Sequence, residues 1–373
     1  MIIFFQKIFL RERFSEKYST QSISFAQQKK LEKIVLEKLQ SRHSELRTTN
    51  YKPVMKNIKL IEVKSEIGAG TRGASLGIEA IKIAAFDFGS DFFKRYQSQD
   101  IAVENQMLYE PSRSSYARRI KGVLSVSERV ADAVKGVLQE DNFPIVLSGD
   151  HSTAAGTIAG IKMAHPEARI AVVWIDAHAD LHSPYTTPSG NMHGMPLCAA
   201  LGEDNLTMKV NNVDDTIRDY WEKYKNIGGI SPKIRYDNLV YVCLRDFEQQ
   251  EDFLLKQHRV RVITTDEIVN YGIDKAAREV LYAVEPCDYI YISFDVDCMD
   301  STISKGTGTP VPNGITEKQA ASLILRLMQD EKVCCFEITE VNPTLDKENL
   351  MAENAFEILQ KVTNQLYNDW AEE

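Results

Sequence analysis

The chain has 373 residues, is 43% hydrophobic and 26% charged, and carries a formal net charge of −9. That is ordinary globular composition, and an acidic balance spread along the chain argues against nucleic acid and anionic membrane surfaces as partners. No apolar stretch reaches transmembrane length, and the six cysteines (Cys198, Cys243, Cys287, Cys298, Cys334 and Cys335) form no C-x-x-C pair and sit in or beside apolar runs, so they read as buried thiols of a reducing, cytoplasmic compartment.

Residues 1–54 differ from the rest. MIIFFQKIFL is briefly apolar, RERFSEKYST is polar, and QQKKLEKIVLEKLQSR places Lys, Glu and Leu at helical period. The apolar start could be a signal-peptide core, but no small-residue cleavage site follows. Glu12 and Glu16 count against an organellar transit peptide. The expectation is a dispensable extension, disordered or holding one amphipathic helix, ahead of a single domain over 55–373, with Met55 a candidate for the natural start.

From Met55 onward strands alternate with helices. The strand KNIKLIEV (56–63) leads through the glycine-rich SEIGAGTRGASLG (65–77) into the helix IEAIKIAAFD (78–87). The helix LSVSERVADAVKGVLQ (124–139) precedes the strand FPIVL (143–147), and the helix STAAGTIAGIKMAHP (152–166) precedes the strand IAVVWID (170–176). After a long polar stretch near 203–236 come the strand NLVYVCLRD (238–246), the helix EDFLLKQH (251–258), the strand VRVITTDE (260–267) and the helix IDKAAREVLYAV (273–284). The strand YIYISFDVD (289–297), the helix TEKQAASLILRLMQ (316–329), the strand VCCFEITEV (333–341) and a last helix NLMAENAFEILQKVTNQLY (349–367) complete the pattern. Near-continuous apolar strands alternating with helices predict an α/β fold, a central, mostly parallel sheet covered on both faces. Gly68-Ala-Gly70-Thr-Arg-Gly73 matches the dinucleotide fingerprint, with Asp87 as the candidate ribose acid. Asp87 does not close a second strand, however, so the expectation is a turn where backbone approaches another element. A nicotinamide enzyme is a distant alternative.

Three of these strands end alike. Ser-Gly-Asp150-His151-Ser follows FPIVL, Ile-Asp176-Ala-His178-Ala-Asp180 follows IAVVWI, and Ser-Phe-Asp295-Val-Asp297 follows YIYIS. A lone Asp at a strand end is commonly a helix cap, and a lone His there is commonly hydrogen-bonded scaffold. Three apolar strands with acids spaced two apart are harder to explain by capping. The ends throw ligand groups off the carboxyl edge of the sheet, where α/β enzymes place their chemistry. So many carboxylates with imidazole do not suit one structural zinc. They suit Mn²⁺, and their number points to two ions sharing bridging carboxylates.

At these residues the chain resembles the ureohydrolase (arginase/agmatinase) family, on its arginase side. Asp180-Leu-His182-Ser-Pro-Tyr-Thr-Thr187-Pro-Ser189-Gly-Asn191-Met-His193-Gly is similar to the substrate loop of arginases. Glu337-Ile-Thr-Glu340-Val-Asn-Pro-Thr is similar to the family's guanidinium-binding strand end, and Gly306-Thr-Gly308-Thr309-Pro also matches. The resemblance runs from about Met55 to the final helix. It implies a three-layer α/β/α fold and one catalytic domain. His151, Asp176, Asp180 and Asp295 would hold one Mn²⁺, and Asp176, His178, Asp295 and Asp297 the other. Co²⁺, Ni²⁺ or Fe²⁺ also suit such donors. Water between the ions would lose a proton near neutral pH and act as nucleophile.

The same resemblance implies a small guanidino substrate and release of urea. Glu340 would hold the guanidinium, Asp180 the nucleophile, and His193 would pass a proton to the leaving amine. Thr187, Ser189 and Asn191 match positions that contact the substrate carboxylate in arginases, which favours L-arginine. There are two departures: His182 stands where arginases carry Asn, and Glu248 where they carry an Asp that receives the α-ammonium. The alternatives are a ureohydrolase for agmatine, guanidinobutyrate or a related acid, and a non-catalytic family member. A homo-oligomer, trimer or hexamer, is implied by the family only.

Overall fold

The computed structural model describes residues 57–112 and 114–371. The expectations for residues 1–54 and for Met55 lie outside the described residues.

Eight strands form one sheet: β1 (Ile58–Val63), β2 (Ser98–Asp100), β3 (Phe143–Ser148), β4 (Ile170–Ile175), β5 (Leu239–Val242), β6 (Arg261–Ile263), β7 (Tyr289–Asp295) and β8 (Val333–Thr339). Their spatial order is β2-β1-β3-β8-β7-β4-β5-β6, and every pairing is parallel. Side chains alternate between the two faces of a strand, and the core divides accordingly. Ile145, Leu147, Ala171, Val173 and Ile175 enter one apolar cluster. Val146, Val172 and Trp174 enter the other. Helices α1 (Gly77–Asp87), α2 (Phe92–Arg95), α9 (Ile273–Val284), α10 (Glu317–Leu327) and α11 (Leu350–Ala371) cover the first face. Helices α3 (Ile120–Gln139), α4 (Ala154–Ala164), α5 (Pro196–Leu201) and α6 (Asp215–Lys225) cover the second. Two-sided cover explains why all six residues of IAVVWI are buried and why that strand shows no polar alternation.

The chain passes from β3 to β4 and leaves room between them that β8 and β7 later fill. The carboxyl ends of β3, β8, β7 and β4 therefore lie side by side. The register keeps them level, with Leu147 opposite Ile338, Asp295 opposite Thr339, and Ile175 opposite Phe294. Parallel sheets open a crevice where strand order reverses in this way.

Among the elements that differ from the sequence reading, three have a clear local cause. The polar stretch contains α6, capped by Asp214, whose carboxylate accepts the Ile217 amide at 2.9 Å. Its buried apolar stripe is Ile217, Trp221 and Tyr224 at helical spacing, so mean polarity hid it. The edge strand β2 is exposed at all three residues, and SQD carries no apolar signal. VRVITTDE is strand only to Ile263. Thr264 then caps α8 (Thr265–Tyr271), its hydroxyl accepting the Glu267 amide at 3.1 Å, a capping box that overrides the β-branched run.

Candidate metal centre

The β3 end turns at Asp150, whose carboxylate accepts the Ser152 amide at 2.9 Å and the Gly68 amide at 3.0 Å. It acts as a cap and tether. The next residue, His151, is fixed from two sides. Its ring stacks on Trp174 with centroids 4.0 Å apart, and Nε2 lies 2.7 Å from Ser293 Oγ. This aims Nδ1 at three carboxylates, 3.1 Å from Asp176 Oδ2, 3.1 Å from Asp180 Oδ2 and 3.3 Å from Asp295 Oδ2. His178 mirrors it: Nδ1 is 2.9 Å from Asp297 Oδ2 and 3.6 Å from Asp176 Oδ1. Asp176 thus stands between the two imidazoles, one oxygen toward each.

These side chains fit a pair of divalent cations. His151, Asp176 and Asp180 bring their ligand atoms within 4.8 Å of one another, and so do Asp176, His178 and Asp297. His151 Nδ1 and Asp176 Oδ2 are buried without a hydrogen-bond partner. Such atoms cost stability unless something else binds them, and a cation between them would. Burial and the neighbouring Asp297 and Asp176 hold the Asp295 carboxyl well above the usual range. Burial and Asp176 push Asp180 up to about 6. Carboxylates crowded this way call for positive charge.

Beside this cluster β8 ends at Glu340, which adopts φ 66°, in the left-handed region. Its Oε1 accepts the His151 amide at 3.0 Å and lies 3.0 Å from His193 Nδ1. Burial alone would lower the His193 pKa, but the charge and hydrogen bond of Glu340, with Asp180 and Asp150 nearby, push it up to about 9. His193 is held from behind by the glycine-rich turn, since its amide donates to Gly68 O at 3.2 Å. A Cβ on Gly68 would stand 2.5 Å from Asp150 Oδ1, and Gly73 sits at φ +114°, so the glycines serve close packing there. Asp87 ends α1 and closes no second strand, so the turn lacks the strand–helix–strand context of a dinucleotide site.

The cleft above is lined by His178, Asp180, His182, Thr187, Pro188, Ser189, Asn191, His193, Gly194, Asp246, Glu248, Glu251, Asp295, Thr309 and Glu340. His151, Asp176 and Asp297 lie buried in the clusters at its base. Every residue expected to bind metal or substrate or to act in catalysis therefore lines or underlies one cleft. Thr309 Oγ1 lies 3.3 Å from Asp297 Oδ2. In the loop, Thr187 Oγ1 accepts the Gly190 amide at 2.9 Å and Ser189 Oγ the Asn191 amide at 3.2 Å. Both ring nitrogens of His182 have protein partners, Glu248 Oε2 at 2.9 Å and Thr186 Oγ1 at 3.1 Å. The His182 hydrogen bond holds the Glu248 carboxyl down at about 2.

Two lining residues escaped the sequence reading. Glu251 is buried; its carboxylate accepts the Leu181 amide at 2.9 Å and the Glu248 amide at 3.0 Å. The E-x-x-E spacing opening α7 (Gln249–His258) is a capping-box signal that could have revealed it. His182, Glu248 and Glu251 also cluster tightly enough for a cation, but these hydrogen bonds already account for their buried oxygens and nitrogens, so we read them as scaffold. Asp246, exposed at the rim with Oδ2 3.8 Å from His178 Nε2, had no sequence signal beyond its strand end.

The sequence profile described as Arginase family matches residues 56–364. The arginase of Brevibacillus brevis is 32% identical over 314 residues, covering 82% of this chain and 97% of that protein. A crystal structure of arginase from Bacillus subtilis superposes with a TM-score of 0.68 at 32% identity, over 82% of this chain and 98% of that one. A formimidoylglutamase of Bacillus subtilis, 20% identical over 85% of this chain and 89% of its own, shares the fold with a TM-score of 0.65. Profile, identity and fold agree: this chain belongs to the arginase family and is a hydrolase of the ureohydrolase kind.

Proposed function

We propose that the chain hydrolyses L-arginine to L-ornithine and urea, with residues 55–373 as its catalytic domain. The observation that carries this reading is the pairing of the two imidazole–carboxylate clusters with Glu340 and His193 in one cleft. His151, Asp176, Asp180 and Asp295 would hold one cation, and Asp176, His178, Asp295 and Asp297 the other. Mn²⁺ suits these donors, with Co²⁺, Ni²⁺ or Fe²⁺ as substitutes, and the bound pair supplies the charge that lets water lose a proton near neutral pH.

The side chains divide the remaining work. Glu340 Oε1 is shared by His151 and His193, which leaves Oε2 to accept from the guanidinium and aim its carbon into the cleft. Asp180 accepts a hydrogen bond from the attacking water. His193 keeps its proton at neutral pH because Glu340 stabilises the imidazolium. It donates that proton to the leaving amine as the C–N bond breaks, giving ornithine and urea. Thr187, Ser189, Asn191 and Thr309 shape the pocket. Glu248 is the residue for an α-ammonium, with His182 orienting it. A homo-oligomer, trimer or hexamer, in the cytoplasm fits the family. No helix among the described residues is long and apolar enough to cross a membrane.

A second reading is favoured by one observation. His182 already occupies one Glu248 oxygen, which weakens the claim of an α-ammonium and admits a guanidino acid without an amino group. Urea release from Mn²⁺-loaded protein, compared for L-arginine, agmatine and 4-guanidinobutyrate, decides. Arginine as the best substrate supports the proposal, and either of the others outpacing it assigns another ureohydrolase activity. Full metal loading with no urea from any of them makes the chain a non-catalytic member.

A further inference from the structure

The mouth of the cleft is acidic at one edge. Asp246 and Glu248 stand exposed there, while burial pushes the Glu251 carboxyl behind them up to about 8 and Glu340 is paired with His193. A substrate tail ending in a carboxylate would meet repulsion at that edge, and the Thr187 and Ser189 hydroxyls, which accept backbone amides and keep their own O–H to donate, offer it neutral partners only. The cation that answers this charge comes from the far side of the substrate loop. The Arg118 backbone amide donates to Gly190 O at 2.8 Å, and its Nη1 donates to Asn191 Oδ1 at 3.2 Å. Arg118 as a residue is exposed. The segment is seated tightly, because a Cβ on Gly190 would stand 1.8 Å from Ser115 O. Arg118 is not alone, for Arg72 and Arg118 lie near enough to Arg119 to oppose its charge. Of the three, Arg118 reaches Asn191, whereas Arg72 donates to Glu66 O and Ala69 O and Arg119 to Met107 O.

Resting on the ureohydrolase reading above, we propose that Arg118 is a specificity-determining residue: its guanidinium receives the carboxylate at the tail of the substrate, over Ser189 and Asn191. Planar N–H pairs match a carboxylate in two parallel hydrogen bonds, and the guanidinium stays charged at any working pH. The tail carboxylate is thereby drawn to the Arg118 side of the mouth and kept from Glu248 and Asp246 on the other. The substrate class is a guanidino compound with a terminal carboxylate.

The test compares Arg118→Gln and Arg118→Lys with the parent Mn²⁺-loaded protein, using L-arginine and agmatine, which differ by the carboxylate alone. Arg118→Gln is expected to raise KM for arginine about tenfold more than KM for agmatine, with the arginine effect in KM rather than kcat, and Arg118→Lys to recover part of it. Calorimetric titration with L-ornithine and with putrescine, which lacks the carboxylate, should show the same selective loss without turnover. Equal losses for both members of each pair, or none, overturn the proposal. If the parent hydrolyses 4-guanidinobutyrate and not arginine, the arginase reading fails but the inference stands, provided Arg118→Gln raises that KM by the same factor. Urea release from agmatine and from no carboxylate-bearing compound overturns both.

Discussion

His193 Nδ1 lies 3.0 Å from Glu340 Oε1, although the two residues are 147 positions apart. Each sustains the charge of the other, and on the proposed reading the pair joins proton donor and guanidinium anchor into one unit. Glu340→Gln keeps the shape and removes that charge. It should cut kcat/KM by at least ten- to a hundred-fold, the scale of a lost charge-assisted hydrogen bond at about 1.5–3 kcal/mol. Metal content should stay near that of the parent. Steady-state kinetics with elemental analysis checks this, and unchanged turnover would remove Glu340 from the guanidinium role.

Asp176 turns one oxygen toward each imidazole, and Asp295 lies beside His151. Asp176→Asn or Asp295→Asn should lower activity by orders of magnitude and reduce bound metal. Full occupancy with parental activity in either variant would refute a shared-ligand site.

Metal binding should strengthen with pH. Asp180 is pushed up to about 6 and His151 well above its ordinary value. Both therefore hold protons in the metal-free fold that a cation must displace. The raised Asp180 pKa also means that the metal-free fold loses stability as pH rises from about 4 through 6, because the unfolded chain gives up that proton more easily. The rise in Tm on adding Mn²⁺ should be larger near pH 7.5 than near pH 5, measured by thermal denaturation. A flat or inverted dependence would count against these ligands.

His182 and Glu248 test the tail pocket. Glu248→Gln should weaken L-arginine by roughly ten- to a hundred-fold in kcat/KM and leave the metal centre intact. His182→Asn frees the Glu248 oxygen held at 2.9 Å and should preserve or improve arginine turnover. A matching loss in both variants would show that the pair acts as a unit and that Glu248 does not meet an α-ammonium by itself.

A chain beginning at Met55 should fold, bind metal and hydrolyse substrate much like the full chain, because the profile match starts at residue 56 and the cleft lies beyond it. Insoluble protein on truncation would show that residues 1–54 are needed to complete the fold or an interface.

What the sequence determined was local. Apolar runs such as IAVVWI and YIYIS declared buried parallel strands, and the acids spaced two apart after them marked the edge where carboxylates and imidazoles cluster, because side-chain period and donor chemistry are written residue by residue. Elements whose signal was thin stayed hidden: β2 rests on backbone pairing with β1, and α6 on three buried apolar side chains in a polar stretch. Only the tertiary structure decided that β8 and β7 enter between β3 and β4, which makes four strand ends neighbours. Only packing against Trp174 and Ser293 aims His151 Nδ1 at the carboxylates. The partners of His182, and the reach of Arg118 to Asn191 across 73 positions, depend likewise on how distant segments stack. Such contacts leave no periodic trace in a single chain, since each is set by the close packing of elements far apart in sequence.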